Sequence, residues 1–138
     1  MPLLFKKDRT LAFWLLLLFG YCGWIYYLSS GPVSLGNFQF PGLDKILHMG
    51  AYGLMAAIAW QVLHRSPWVD RTYLGAWAWC ALYGISDEWH QSFTGRYPDV
   101  EDWVADVVGA ALMLWLIQLY FRHFQPQTEM DSTKTQLS

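Results

Sequence analysis

DEWHQSFTGRYPDVEDWVAD, residues 87–106, carries six carboxylates, one histidine and one arginine. The segments beside it, AWAWCALYGIS (76–86) and VVGAALMLWLIQLYF (107–121), are almost wholly apolar. So dense a block of charge between two greasy segments poses a solvation problem. A charged side chain at the centre of a bilayer costs on the order of 3 kcal/mol even on insertion scales. The block must therefore sit at a membrane boundary, or its charges must face one another.

The composition favours the membrane. Hydrophobic residues make up 54% of the 138-residue chain and charged residues only 14%, whereas soluble domains carry roughly 25% charged residues. The net charge of −2, with no basic stripe, argues against nucleic acid as a partner. Cys22 and Cys80 both lie in apolar runs and read as small buried hydrophobes, since neither their number nor their spacing suggests a metal cluster or disulfide framework.

Working outward, four apolar spans emerge. Leu11–Leu28 holds 18 uncharged residues, about 27 Å as a helix, which matches the hydrocarbon core. It ends in Trp24, Tyr26 and Tyr27 with no small-residue cleavage site after it, so it reads as a retained span rather than a removed signal. Ser29–Pro41 is a turn-rich loop, Ile46–Leu63 the second span, and HRSPWVDR (64–71) a short turn. Thr72–Ser86 is the third span, running on into the charged block, and Trp103–Phe121 is the fourth. No strand alternation competes. The expected fold is all-α: a four-transmembrane-helix bundle with short loops over residues 1–122, followed by a polar, disordered tail over 123–138. Lys6, Lys7, Arg9, Arg65, Arg71, Arg122 and Lys134 then share one side, with Lys45 and Arg96 on the other. The positive-inside rule places both termini in the cytoplasm.

This topology gathers the charges at one outward boundary. Asp44, His48 and Tyr52 are spaced by four and share a helix face, as do Asp87 and Gln91. Asp102, Asp106 and Gly109 form a third stripe; the carboxylates suit the start of a helix, and the glycine allows another backbone to approach. Lys45 and Arg96 can offset two carboxylates, and His48 and His90 more if protonated. The negative surplus leaves room for a divalent cation, a cationic ligand or raised carboxylate pKa values.

These residues resemble the VanZ-like family of bacterial membrane proteins. DKILHMGAY (44–52) fits the family's D-K-x-x-H-x-x-x-Y pattern. DEWHQSFTGR (87–96) fits D-E-x-x-Q-x-F-x-x-G-R with one residue fewer before the Gly-Arg, and DWVADVVGA (102–110) fits D-x-x-x-N/D-x-x-G. Thr94 stands where a proline often precedes the Gly-Arg, and Asp106 where asparagine is frequent. The resemblance implies a helical integral membrane protein of the cell envelope. It also implies a link to glycopeptide tolerance, since the family is named after a protein tied to tolerance of teicoplanin. It names no reaction.

Several readings of the polar cluster stay open. As an outer-leaflet hydrolase or transferase, the protein would act on a lipid or lipid-linked cell-wall precursor. His48 or Glu88 would be general base, with Asp87 beside them and Arg96 gripping a phosphate. Asp44, Lys45, Tyr52, Gln91, Asp102 and Asp106 would complete the binding surface. A metal would draw on His48, Asp87, His90 and Asp106, although their spacing matches no metal motif. A non-catalytic binder would use the same cup. A small exporter is disfavoured, because no charge falls on the first span and the ionisable groups lie on one side. Equally, the charges can simply clamp the helix ends. His90 beside Trp89 reads as an interfacial residue, and the remaining Trp and Tyr side chains as interface anchors and core.

Overall fold

A computed structural model describes residues 2–31, 40–66 and 71–124, with side chains from residue 9 onward. It contains four helices: α1 (Pro2–Ser29), α2 (Leu43–Arg65), α3 (Thr72–Gln91) and α4 (Val100–Phe124). There is no strand among the described residues. Each helix exceeds its apolar span because the polar residues at its ends continue the same turns: Asp44 and Lys45 open α2, Asp87 to Gln91 close α3, and Glu101 and Asp102 open α4. α4 also extends to Phe124, so the polar tail begins later than expected; its disorder, the centre of the first loop and the Pro67 turn lie outside the described residues.

α1 (from Arg9), α2 and α4 are long and apolar enough to cross a membrane. α3 is not among them, because much of its bulk is Trp and Tyr and its last turn is polar. Its pattern is nonetheless informative. The buried residues Ala76, Cys80, Gly84, Asp87 and Gln91 form one small, polar-ended stripe. Leu74, Leu82, Ile85 and Trp89 point outward. Apolar outside and polar inside is the reverse of a helix on a water-soluble domain.

α2 is the axis of the bundle and contacts all three other helices, most extensively α4, while α1 and α4 have no close backbone approach among the described residues. α2 contributes Tyr52, Met55, Ala56, Ile58, Ala59, Trp60 and Val62 to the core, joined by Leu18, Cys22 and Ile25 of α1, Ala76 and Cys80 of α3, and Ala110 and Leu114 of α4. Both cysteines are buried and unbridged. The α2–α4 crossing is closest at two glycines. A Cβ on Gly109 would strike the Met49 backbone, 2.6 Å from its Cα, and one on Gly53 would lie 3.3 Å from the Gly109 carbonyl oxygen. Lacking a Cβ, these residues let the backbones touch, the packing mode of membrane helices.

The aromatic residues do more than anchor and fill. Trp77 Nε1 donates to the Val107 carbonyl at 3.3 Å and Trp103 Nε1 to that of Ala81 at 3.0 Å, both joining α3 to α4. Tyr83 donates to the Cys22 carbonyl at 2.6 Å and Tyr21 to the Ala51 carbonyl at 3.0 Å, fastening α1. Nothing in the sequence spacing distinguishes these four from their neighbours.

Candidate functional site

The glycine crossing sets the geometry of the polar end. Met49 lies against Gly109, so the residue before Met49 and the residue one turn before Gly109 must meet. They do: His48 Nδ1 is 2.8 Å from Asp106 Oδ1. One turn further out Lys45 meets Asp102, Nζ to Oδ1 at 2.5 Å, and Asp99 at 2.6 Å. Lys45 also lies 3.4 Å from Asp44 and 3.8 Å from Glu101. One lysine thus holds the acidic start of α4 against α2, and its hydrogen bond keeps the Asp99 carboxyl below the usual range.

Asp99 and Glu88 share the work of starting α4. Asp99 Oδ1 accepts from the Glu101 N–H at 2.9 Å, a side-chain cap. In a capping box the third helical residue reaches back to the cap's own N–H. Here Asp102 occupies that position but is held by Lys45, and Glu88 of α3 accepts the Asp99 N–H instead, at 2.7 Å. Glu88, expected above as a possible base, is a cross-helix cap.

The cluster therefore divides in two. Lys45, Asp99, Asp102 and Glu88 form a clamp. Beside it lies a cavity of about 320 Å³ between α1, α2 and the end of α3. Ile25, Leu28, Leu47 and Ala51 form its apolar wall, and Asp44, His48, Tyr52, Asp87 and Arg96 its polar lining. The shared face expected for Asp44, His48 and Tyr52 is the α2 side of this cavity. Asp87 is 3% exposed; its Oδ2 has Tyr52 Oη and Gln91 Nε2 at 3.5 Å, the outer limit of a hydrogen bond. Asp87 Oδ1, Gln91 Oε1 and Asp106 Oδ2 are buried with no hydrogen-bond partner among the described residues. Arg96 is half-buried on the cavity and forms no ion pair with any described carboxylate.

His90 does not join the site. Its ring stacks on Tyr26 at 3.8 Å and its Nε2 lies 3.0 Å from Ser30 Oγ, so it ties α3 to α1. The four-residue metal set therefore loses a member, and among the described residues no three His, Cys, Asp or Glu side chains group as a metal site. Lys45 and Asp102, expected on the ligand surface, are engaged in the clamp, and Gln91 sits behind Asp87. The apolar wall from α1 was absent from the expected site, since a run of uniform hydrophobicity does not reveal which face meets α2.

Chemically, His48 is the group best placed to move a proton. With Nδ1–H donating to Asp106, Nε2 keeps the lone pair, and its nearest carboxylate oxygen, on Asp102, is 3.6 Å away.

Fold and site together define a helical membrane protein with a polar cavity walled on one side by apolar helix surface. A family model named VanZ/LLP1 matches residues 16–121, and the chain belongs to that family. No match is found among curated proteins or among solved structures.

Proposed function

We propose that this chain is a four-span protein of the bacterial inner membrane, both termini cytoplasmic, whose outward cavity takes the headgroup of a lipid or lipid-linked cell-wall component. The observation that carries this reading is the cavity's two-sided lining: an apolar wall from α1 and α2 facing His48, Tyr52, Asp87 and an Arg96 that pairs with no described carboxylate. A volume near 320 Å³ is at the small end of ligand pockets. It suits a headgroup while the tails stay in the bilayer. The inverted amphipathicity of α3 supports a fourth span. If the protein turns its ligand over, His48 is the base and Asp106 its positioning residue.

Photoreactive lipids in membranes containing the protein test the reading. Crosslinks should concentrate at residues 25–29 and 44–52; labelling spread evenly over all outward apolar surfaces would count against it. A labelled lipid-linked wall precursor then separates turnover from recognition. Product that disappears in His48→Gln indicates catalysis, and saturable binding without product indicates a receptor. The resemblance makes teicoplanin tolerance the phenotype to score in cells. A second reading, a purely structural clamp, is favoured by the Lys45 network, but that network leaves the cavity's own polar groups unexplained.

A further inference from the structure

The cavity's two unsatisfied groups have opposite needs. Arg96 offers a fork of N–H donors with no described carboxylate to receive them. Asp87 offers a carboxylate that is almost wholly buried, with one oxygen unpartnered and the other served only at 3.5 Å. Burying a charge without hydrogen bonds is costly, so donors arriving at Asp87 gain more than the same donors would on a solvated surface. Asp44, also on the lining, already has Lys45 at 3.4 Å, and His48 has Asp106. A simple anion would satisfy Arg96 and be repelled by Asp87; a simple cation would do the reverse.

We infer that the cavity selects a phospholipid-type headgroup in which a phosphate for Arg96 is followed by an N–H or O–H donor for Asp87. The inference rests on the lipid-headgroup reading above and names the chemistry of the head. An ammonium, as in phosphoethanolamine, and a hydroxyl, as in phosphoglycerol or a phosphate-linked sugar, are two sources of that one pattern. The tail leaves past Leu28 and Leu47, which are 41% and 43% exposed at the rim.

The test is native mass spectrometry of the full, delipidated chain in detergent, titrated with phosphatidylethanolamine, phosphatidylglycerol and phosphatidylcholine of matched chains. Phosphatidylcholine carries the same phosphate and a positive nitrogen but no N–H or O–H donor. Either donor-bearing lipid should bind about tenfold tighter than phosphatidylcholine, the scale of one hydrogen bond to a charged group. Which one leads identifies the source. Asp87→Asn should bring that ratio close to one, and Arg96→Gln should weaken all three lipids together. Equal binding of the three lipids to the parent overturns the inference and leaves the lipid cavity standing. Binding of none overturns both. The parent ratio carries the result even if a variant misfolds. Arg96→Gln melting far below the parent would also overturn the inference, because Arg96 would then be a clamp.

Discussion

Lys45 and Arg96 are the lysine and the arginine at the carboxylate-rich end of the bundle, and the fold gives them opposite employment. Lys45 lies within 4 Å of four carboxylates, while Arg96 pairs with none that is described. Losing Lys45 would leave Asp102, whose side chain is 8% exposed, facing Asp99 without a cation. Breaking a fully buried pair costs roughly 3–5 kcal/mol; with the Lys45 side chain 25% exposed, solvent softens this to about 2 kcal/mol. Lys45→Met should therefore lower thermal stability in detergent clearly, and Arg96→Gln should leave it within about 0.5 kcal/mol. Acid separates the same pair. The pKa of Asp99 is lower folded than unfolded, chiefly through its bond to Lys45. Its stabilising contribution is complete above the unfolded value of 3.8 and fades as the pH falls through the lower folded value. A melting series below pH 4 should show this loss in the parent and a smaller one in Lys45→Met.

At the scale of elements, the α2–α4 contact positions everything else. Gly109 admits the Met49 backbone, and that contact sets His48 against Asp106 and Lys45 against Asp102. Gly109→Ala should force the helices apart and destabilise the bundle by about 2–3 kcal/mol, because the obstructing atoms are main chain and cannot turn aside. Gly50→Ala, on α2 beside Met49 but with nothing within 4 Å of its added Cβ, should be neutral or gain up to about 1 kcal/mol from helix propensity. Chemical denaturation of both variants checks the pair; equal behaviour would show that the crossing tolerates a methyl group. Cross-helix donors from Trp77, Trp103, Tyr21 and Tyr83 add roughly 0.6 kcal/mol each on the average found within membranes. That is too little singly to replace the glycine contact.

For the whole molecule, the distribution of polarity is inverted: Asp87, Gln91, Asp102 and Asp106 are buried, while many large apolar side chains face outward. The proposed four-span arrangement predicts that Tyr97→Cys, at a position 93% exposed between α3 and α4, reacts with an impermeant thiol reagent in intact cells. His123→Cys, at the other end, should react only after lysis. Cys22 and Cys80 are buried and should contribute little background. The reverse pattern, His123→Cys labelled in intact cells and Tyr97→Cys only after lysis, would mean that α3 does not cross while α4 does.

The four helices, the polar boundary and the stripes Asp44–His48–Tyr52, Asp87–Gln91 and Asp102–Asp106–Gly109 were legible in the chain alone. Apolar run length and helical period are local properties, and the cost of burying charge leaves few places for it to go. The family patterns in DKILHMGAY, DEWHQSFTGR and DWVADVVGA lie within the matched residues 16–121. The partition of the polar residues was not legible. Lys45 and Arg96 are equivalent by sequence, as are Glu88 and Asp87, or His48 and His90. Only the closeness of α2 to α4, and the rotation of α3 about its own axis, made one of each pair part of the clamp or of an α1 contact and the other part of the cavity. Pairing between helices depends on distances of a few ångströms between residues far apart in the chain, and those distances exist only once the glycines have let the backbones meet.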